Sequence, residues 1–286
     1  MTPDDELQWE ARWAVPAAVA SFGAALLLVV SATLFLPKDR KGIGRIADLL
    51  ISIDKQSGSY LTSSIFTAAA ALLLMGVFYY LFRAVVARGG GIPSWFVYLI
   101  YAAPVLFAIG AILAALHAVD AADEFVSGGN VRGDAANDHA RDLLSPGGAI
   151  VAAQTAGTVG VAFLFVMLPL RARRVGLLTP FMGVIGAIAG ALIVFQLAGV
   201  SAIVQGFWLV ALGLLFLGRW PGGRGPAWET GEAEPWPTMA QRRAEATGGR
   251  PGEGPPGSDG GEPDAPDPEP VPERPPSRKR RKKRRR

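Results

Sequence analysis

The sequence predicts an all-α protein, a polytopic transmembrane helical bundle of about six spans followed by a disordered C-terminal tail. Half of the 286 residues are hydrophobic, uncharged apolar runs close to 20 residues long recur along the chain, and after residue 217 the composition turns to Pro, Gly and charge. A helix rises about 1.5 Å per residue, so roughly 20 residues cross a 30 Å hydrocarbon core. The runs occupy 14–36, 60–82, 95–116, 149–170, 180–197 and 202–217, and together they define a transmembrane domain over 14–218. They are apolar all round, whereas a soluble surface helix keeps a polar stripe, so lipid is their natural solvent.

The first run follows an acidic leader, Asp4, Asp5, Glu6 and Glu10, and is too long for a signal-peptide core. It reads as a retained anchor behind a cytoplasmic segment at 1–13. Only Ala198, Gly199, Val200 and Ser201 separate the fifth and sixth runs, a link that forces an antiparallel hairpin. Arg83 and Arg88 follow the second run, and Arg171, Arg173 and Arg174 follow the fourth, so those connections are expected inside. The third-to-fourth connection carries Asp120, Asp123, Glu124, Asp134, Asp138 and Asp142 and is expected outside. Six spans then put both termini in the cytoplasm. Lys38, Arg40, Lys41, Arg45 and Lys55 oppose that orientation. They accompany Ile43, Ile46, Ala47, Leu50 and Ile53 at helical spacing, opposite Asp48 and Ser52, which predicts a short amphipathic helix lying in the membrane interface.

Beyond the spans, Trp220, Trp228 and Trp236 recur every eight residues among Pro, Gly and Arg. Indoles so placed read as interface anchors within a Trp- and Pro-rich segment at 219–247 that ends in a possible short helix at 238–247. Residues 248–276 have almost nothing to bury and are expected to be disordered. The last nine residues, Arg278, Lys279, Arg280, Arg281, Lys282, Lys283, Arg284, Arg285 and Arg286, are all cationic and outweigh the net charge of +4. Such a run suits anionic lipids or a protein partner, with nucleic acid less favoured beside a membrane.

The chemistry on offer is narrow. Cys is absent and His is limited to His117 and His139, which removes thiol nucleophiles and thiolate metal sites. No nucleophile elbow, phosphate loop or dinucleotide-binding glycine pattern occurs, so no enzyme activity and no cofactor are expected. His117, Asp120 and Glu124 share a helical face and are the sole metal candidates, against the plainer reading of a solvated acidic face. Gly183, Gly186 and Gly190 give the fifth run a small-residue face for helix packing, within one chain or between copies. Gln154, Thr155, Thr158, Gln196 and Gln205 stand out among the polar side chains within spans. Interhelical hydrogen bonding is their expected role, and a solute path the alternative.

The segments Arg174-Val-Gly-Leu-Leu, Phe181-Met-Gly, Gln205-Gly-Phe-Trp-Leu, Gly218-Arg-Trp-Pro-Gly, Pro226-Ala-Trp and Pro235-Trp-Pro resemble a group of uncharacterised actinobacterial multi-pass membrane proteins, over about 48–243. The resemblance implies a bacterial cell membrane and carries no substrate, cofactor or site residue. The function expected from the sequence is therefore a non-enzymatic structural or interaction role, with a transporter or channel for a small neutral solute as the alternative. The full-length chain should sediment with membranes after cell lysis. Removing residues 278–286 should weaken its recovery with anionic vesicles, and unchanged recovery would remove the tail's assigned role.

Overall fold

The computed structural model describes residues 3–35, 45–129, 134–195, 200–221 and 223–236. The chain divides into a unit of residues 1–236 and a second unit, 237–286. The cationic run, the expected disordered stretch, the expected short helix at 238–247, Gln196, Lys38, Arg40, Lys41 and Ile43 lie outside the described residues.

Every regular element among the described residues is a helix. They are α1 (Pro3–Leu34), α2 (Arg45–Lys55), α3 (Ser57–Ala87), α4 (Phe96–Ser127), α5 (Asp134–Leu143), α6 (Gly148–Arg174), α7 (Pro180–Phe195), α8 (Val200–Phe216) and α9 (Pro226–Thr230). Four of these, α1, α3, α4 and α6, are long and apolar enough to cross a membrane, and α7 and α8 are shorter apolar helices. Charge at the ends complements the helix dipole: Asp4, Asp5 and Glu6 occupy the first turn of α1, and Arg171, Arg173 and Arg174 the last turn of α6. The chain leaves α6 through Gly176, whose φ of 82° is open to glycine and strained for other residues.

The four long and two shorter apolar helices form a closed ring in the order α1–α3–α4–α6–α7–α8 and back to α1, with α3 also touching α6 across the middle. Each is antiparallel to its ring neighbours. The end that carries Trp9 is called the terminal end, and the opposite one the distal end. Apolar side chains gain little by leaving lipid for one another, so the seams rely on small residues and directional bonds. Glycine dominates two of them. Between α4 and α6, a Cβ on Gly110 would stand 2.7 Å from the Gln154 Cα, one on Gly157 would strike the Phe107 backbone, and one on Gly160 would press on Ala103. Between α6 and α7, Gly183, Gly186 and Gly190 admit Arg173, Pro169 and the Ala162 carbonyl. The three glycines thus face a neighbour in the same chain. Hydrogen bonds tie other seams: Ser21 Oγ donates to the Leu209 carbonyl at 2.8 Å (α1–α8), Ser63 Oγ to the Ser31 carbonyl at 3.0 Å (α3–α1), and Trp208 Nε1 to the Met182 carbonyl at 2.9 Å (α8–α7).

Helix α4 continues past the apolar run to Ser127, so His117, Asp120 and Glu124 do stand on a helix, one that projects past the ring. Two expectations change. Helix α2 forms where the amphipathic pattern predicts it, yet its apolar face meets protein: Ala47, Leu50 and Ile53 are buried against Ala118, Ala122 and Phe125 of α4 and Ala136 and Ala140 of α5. Asp48 and Ser52, expected on its open face, are buried too, because α4 and α5 cover it from two sides. The Ile46 N–H donates to Asn137 Oδ1 at 3.0 Å, which caps the start of α2 with a side chain from α5. Finally, Trp228 is only 4% exposed and cannot anchor in headgroups, while Trp220 is partly buried against the main core.

Because Gly157 meets backbone, its neighbour has no side chain to swing aside. Gly157→Leu should cost about 1–3 kcal/mol or more through overpacking, read as a lower unfolding temperature in detergent, whereas Gly58→Leu, with nothing within 4 Å, should change little.

Candidate functional site

Polar side chains that the sequence scatters over three helices converge inside the ring. Helix α3 contributes Tyr60, Ser64 and Thr67 at i, i+4 and i+7, a spacing that puts all three on one face. Helix α6 contributes Gln154 and Thr158, and α8 contributes Ser201 and Gln205, each pair four residues apart. Together they line a partly open cavity of about 360 Å3 in the distal half of the ring. Space for roughly a dozen waters follows from about 30 Å3 per water. The opposing wall is made of small or apolar groups, among them Ala111, Ala114 and Ala115 of α4 and Leu28 of α1.

Hydrogen bonding in this vestibule leaves capacity for a guest. Ser64 Oγ donates to the Tyr60 carbonyl at 3.1 Å and Thr67 Oγ1 to the Ser63 carbonyl at 3.0 Å, so each hydroxyl keeps its acceptor lone pairs free. Gln205 Nε2 donates to Ser201 Oγ within α8. Gln154 and Thr158 make no side-chain hydrogen bond to the described residues, so the expected interhelical bonding is replaced by exposure to the cavity. Among the described residues no Asp, Glu, Lys, Arg or His lines it. Aromatic packing in the ring lies beyond it toward the terminal end: Phe78 meets Phe165 edge-on at 5.1 Å, and Phe165 meets Trp208 at 5.2 Å.

The terminal end carries a second constellation that sequence reasoning missed. Glu10 of α1 and Arg88, just after α3, form a bidentate ion pair with side chains 3% and 1% exposed, the Nη2–Oε2 arm at 2.9 Å. Arg88 also donates Nε to the Ala227 carbonyl at 2.8 Å and Nη1 to the Ala84 carbonyl at 2.9 Å. Around the pair, Tyr80 stacks between Trp9 (5.6 Å) and Trp228 (5.7 Å) and donates its hydroxyl to the Glu10 carbonyl. Trp228 Nε1 donates to the Leu177 carbonyl at 2.9 Å, and the guanidiniums of Arg88 and Arg224 lie 5.3 and 5.2 Å from its ring centroid. A buried charge needs a partner and saturated hydrogen bonds, and here one fork satisfies both. The short helix α9 is thereby clamped over the terminal end of α1 and α3.

The remaining sequence candidates stay apart. Asp120 and Glu124 are exposed, His117 is partly buried with Nε2 lacking a hydrogen-bond partner, and no three His, Asp or Glu side chains among the described residues gather around a metal position. Trp236 packs over Gly225, where a Cβ would strike its ring. A pattern of polar pairs at i+4 spacing within apolar runs was the available signal for the vestibule. Nothing in the sequence links Glu10 to Arg88, 78 positions away. No protein-family model, curated protein or solved structure matches this chain.

Removing one member of the buried pair strands the other. Glu10→Ala or Arg88→Ala should each lose about 3–5 kcal/mol, while Glu10→Leu combined with Arg88→Met should recover much of it. A double-mutant cycle of thermal unfolding in detergent measures this, and purely additive losses would remove the coupling.

Proposed function

We propose that this chain is a six-span protein of a bacterial cell membrane whose vestibule binds a small uncharged polar solute for passage across the bilayer. Helices α7 and α8, 16 and 17 residues long, join the four longer apolar helices in one ring. At about 1.5 Å per residue they approach the hydrocarbon thickness, and slight local thinning accommodates the remainder. Arg83, Arg88 and Arg171 lie at the terminal end and the acidic residues of α4 and α5 at the distal end, which favours termini in the cytoplasm and a vestibule facing outward. The resemblance to uncharacterised actinobacterial membrane proteins agrees with that location.

One observation carries the functional reading: hydroxyl and amide groups from α3, α6 and α8 face a common space to which the described residues bring no formal charge. Neutral donors and acceptors match a guest with hydroxyl, amide or carbonyl groups, such as a polyol or urea-like molecule. An ionic guest would find no counter-charge in a low-dielectric site. Aromatic packing and the clamped terminal end oppose a continuous open pore, so passage requires a conformational change, as in a carrier. A second reading, a structural or interaction protein, rests on the nine consecutive cations at 278–286 and their attraction to anionic lipid. The two are compatible in one molecule.

The natural absence of Cys makes a clean test available. In whole cells Thr158→Cys should react with a membrane-impermeant maleimide added outside, and glycerol or urea should protect it. Gln154→Leu with Thr158→Val should weaken binding or flux of the same solutes roughly tenfold, as expected for two lost hydrogen bonds. Flux in reconstituted vesicles that ignores both substitutions would overturn the assignment.

A further inference from the structure

A second cavity, about 310 Å3, lies between α1 and α3 near the terminal end. Trp9, Trp13 and Tyr79 wall it, and Ala17, Ala20 and Gly76 form its floor. Gly76 differs from the seam glycines: the nearest atom to an added Cβ is the Ala20 Cβ at 3.9 Å, so the missing side chain leaves a slot rather than a backbone contact. Trp13 is 48% exposed, which places this slot on the outer surface and not in the core. From Trp9 to Ala20 the helix rises about 16 Å, half the depth of the hydrocarbon core.

Charge marks one end of the slot. The Arg83 guanidinium stacks 3.9 Å from the Trp9 ring centroid and pairs with Glu6 at 3.2 Å. Arg12, three residues after Trp9 and four before Pro16, adjoins the residues that line the slot, is exposed and makes no ion pair with the described residues. The floor toward Ala20 and Gly76 carries no charge. Cation and indole at the rim, with a narrow apolar trough running toward the midplane, match the two halves of a phospholipid.

We propose that this slot is a specific site for an anionic phospholipid, with one acyl chain laid over Ala17, Ala20 and Gly76 and its phosphate held at Arg12. Indole and phenol rings flank the chain, and the small floor residues let it approach both helix backbones. The site is independent of the solute reading of the vestibule and needs only that the four apolar helices lie in lipid. It is also distinct from the cationic tail, which attracts headgroups electrostatically and releases them in salt, whereas an inserted acyl chain is held by apolar contact.

The test uses the full-length chain purified in mild detergent, washed in high salt to strip lipid from the tail, and examined by native mass spectrometry after exposure to mixed phosphatidylglycerol and phosphatidylcholine. The unaltered protein should retain one phospholipid, enriched in phosphatidylglycerol. Gly76→Leu fills the slot and should lower lipid occupancy roughly tenfold, and Ala20→Leu, an independent filling, should do the same if the first variant folds poorly. Arg12→Gln should keep a bound lipid but reduce the preference for phosphatidylglycerol roughly fivefold, the effect of one arginine near the surface. Reactivity of Thr158→Cys should be unchanged by either filling, which separates failure here from failure of the vestibule reading. Equal occupancy in unaltered and filled proteins, or a detergent molecule or protein held there in place of lipid, would overturn the proposal.

Discussion

The architecture depends on how closely helix backbones approach where lipid competes equally for every apolar side chain. Gly110, Gly157 and Gly160 draw α4 onto α6, and Gly183, Gly186 and Gly190 draw α7 onto α6, so one side of the ring is held by backbone contact. Elsewhere, single bonds such as Ser21 to Leu209 and Trp208 to Met182 secure neighbours that pack through larger groups. The ring interior inherits this asymmetry. Its terminal half is filled by Phe78, Phe165, Leu164 and Leu168, while its distal half is bordered by alanines and short polar residues that cannot fill the gap. The vestibule exists because small side chains stand where six helices already fix the wall spacing.

The buried Glu10–Arg88 pair follows a different logic. Two charges in a low-dielectric interior gain much from each other, yet they lose hydration of similar size, so such a pair adds more to selectivity among packings than to net stability. Arg88 fits one arrangement of its surroundings: the Glu10 carboxylate on one side, the Ala84 and Ala227 carbonyls on the others. Tyr80, pressed between two indoles, adds shape to that selection. Together these contacts define how the first helix, the third and the segment after the eighth meet.

Much of the helical content was legible because uninterrupted apolar runs leave few alternatives. The hairpin position of α7 and α8 and the glycine face of α7 could be read from spacing alone, since GxxxG periodicity reports proximity whatever the partner. Helix ends were less legible. The helical spacing of His117, Asp120 and Glu124 carried α4 past its apolar run, but the end at Ser127 had no marker, since a helix projecting beyond lipid tolerates charge on its outer face. The covered face of α2 was read as lipid-facing because amphipathicity reveals a buried side but not what buries it. Trp228 was misplaced for a related reason: indoles suit both headgroups and cores, and only its neighbours decide. Of the vestibule, Gln154, Thr158 and Gln205 stood out, whereas Tyr60, Ser64 and Thr67 did not, since a hydroxyl in an apolar run can bond its own helix, and Ser201 was read as part of the hairpin link.

The clamp over Arg88 also bears on biogenesis. As the polypeptide emerges, Glu10 has no counter-charge until Arg88 follows, and the guanidinium Nε then waits for the carbonyl that residue 227 supplies. A nascent intermediate that includes Arg88 but stops short of residue 227 leaves that guanidinium short of a hydrogen bond and one face of Tyr80 without its indole. Addition of residue 227 is thus registered chemically at the first helix, so a product truncated before it differs at that helix from one that extends past it.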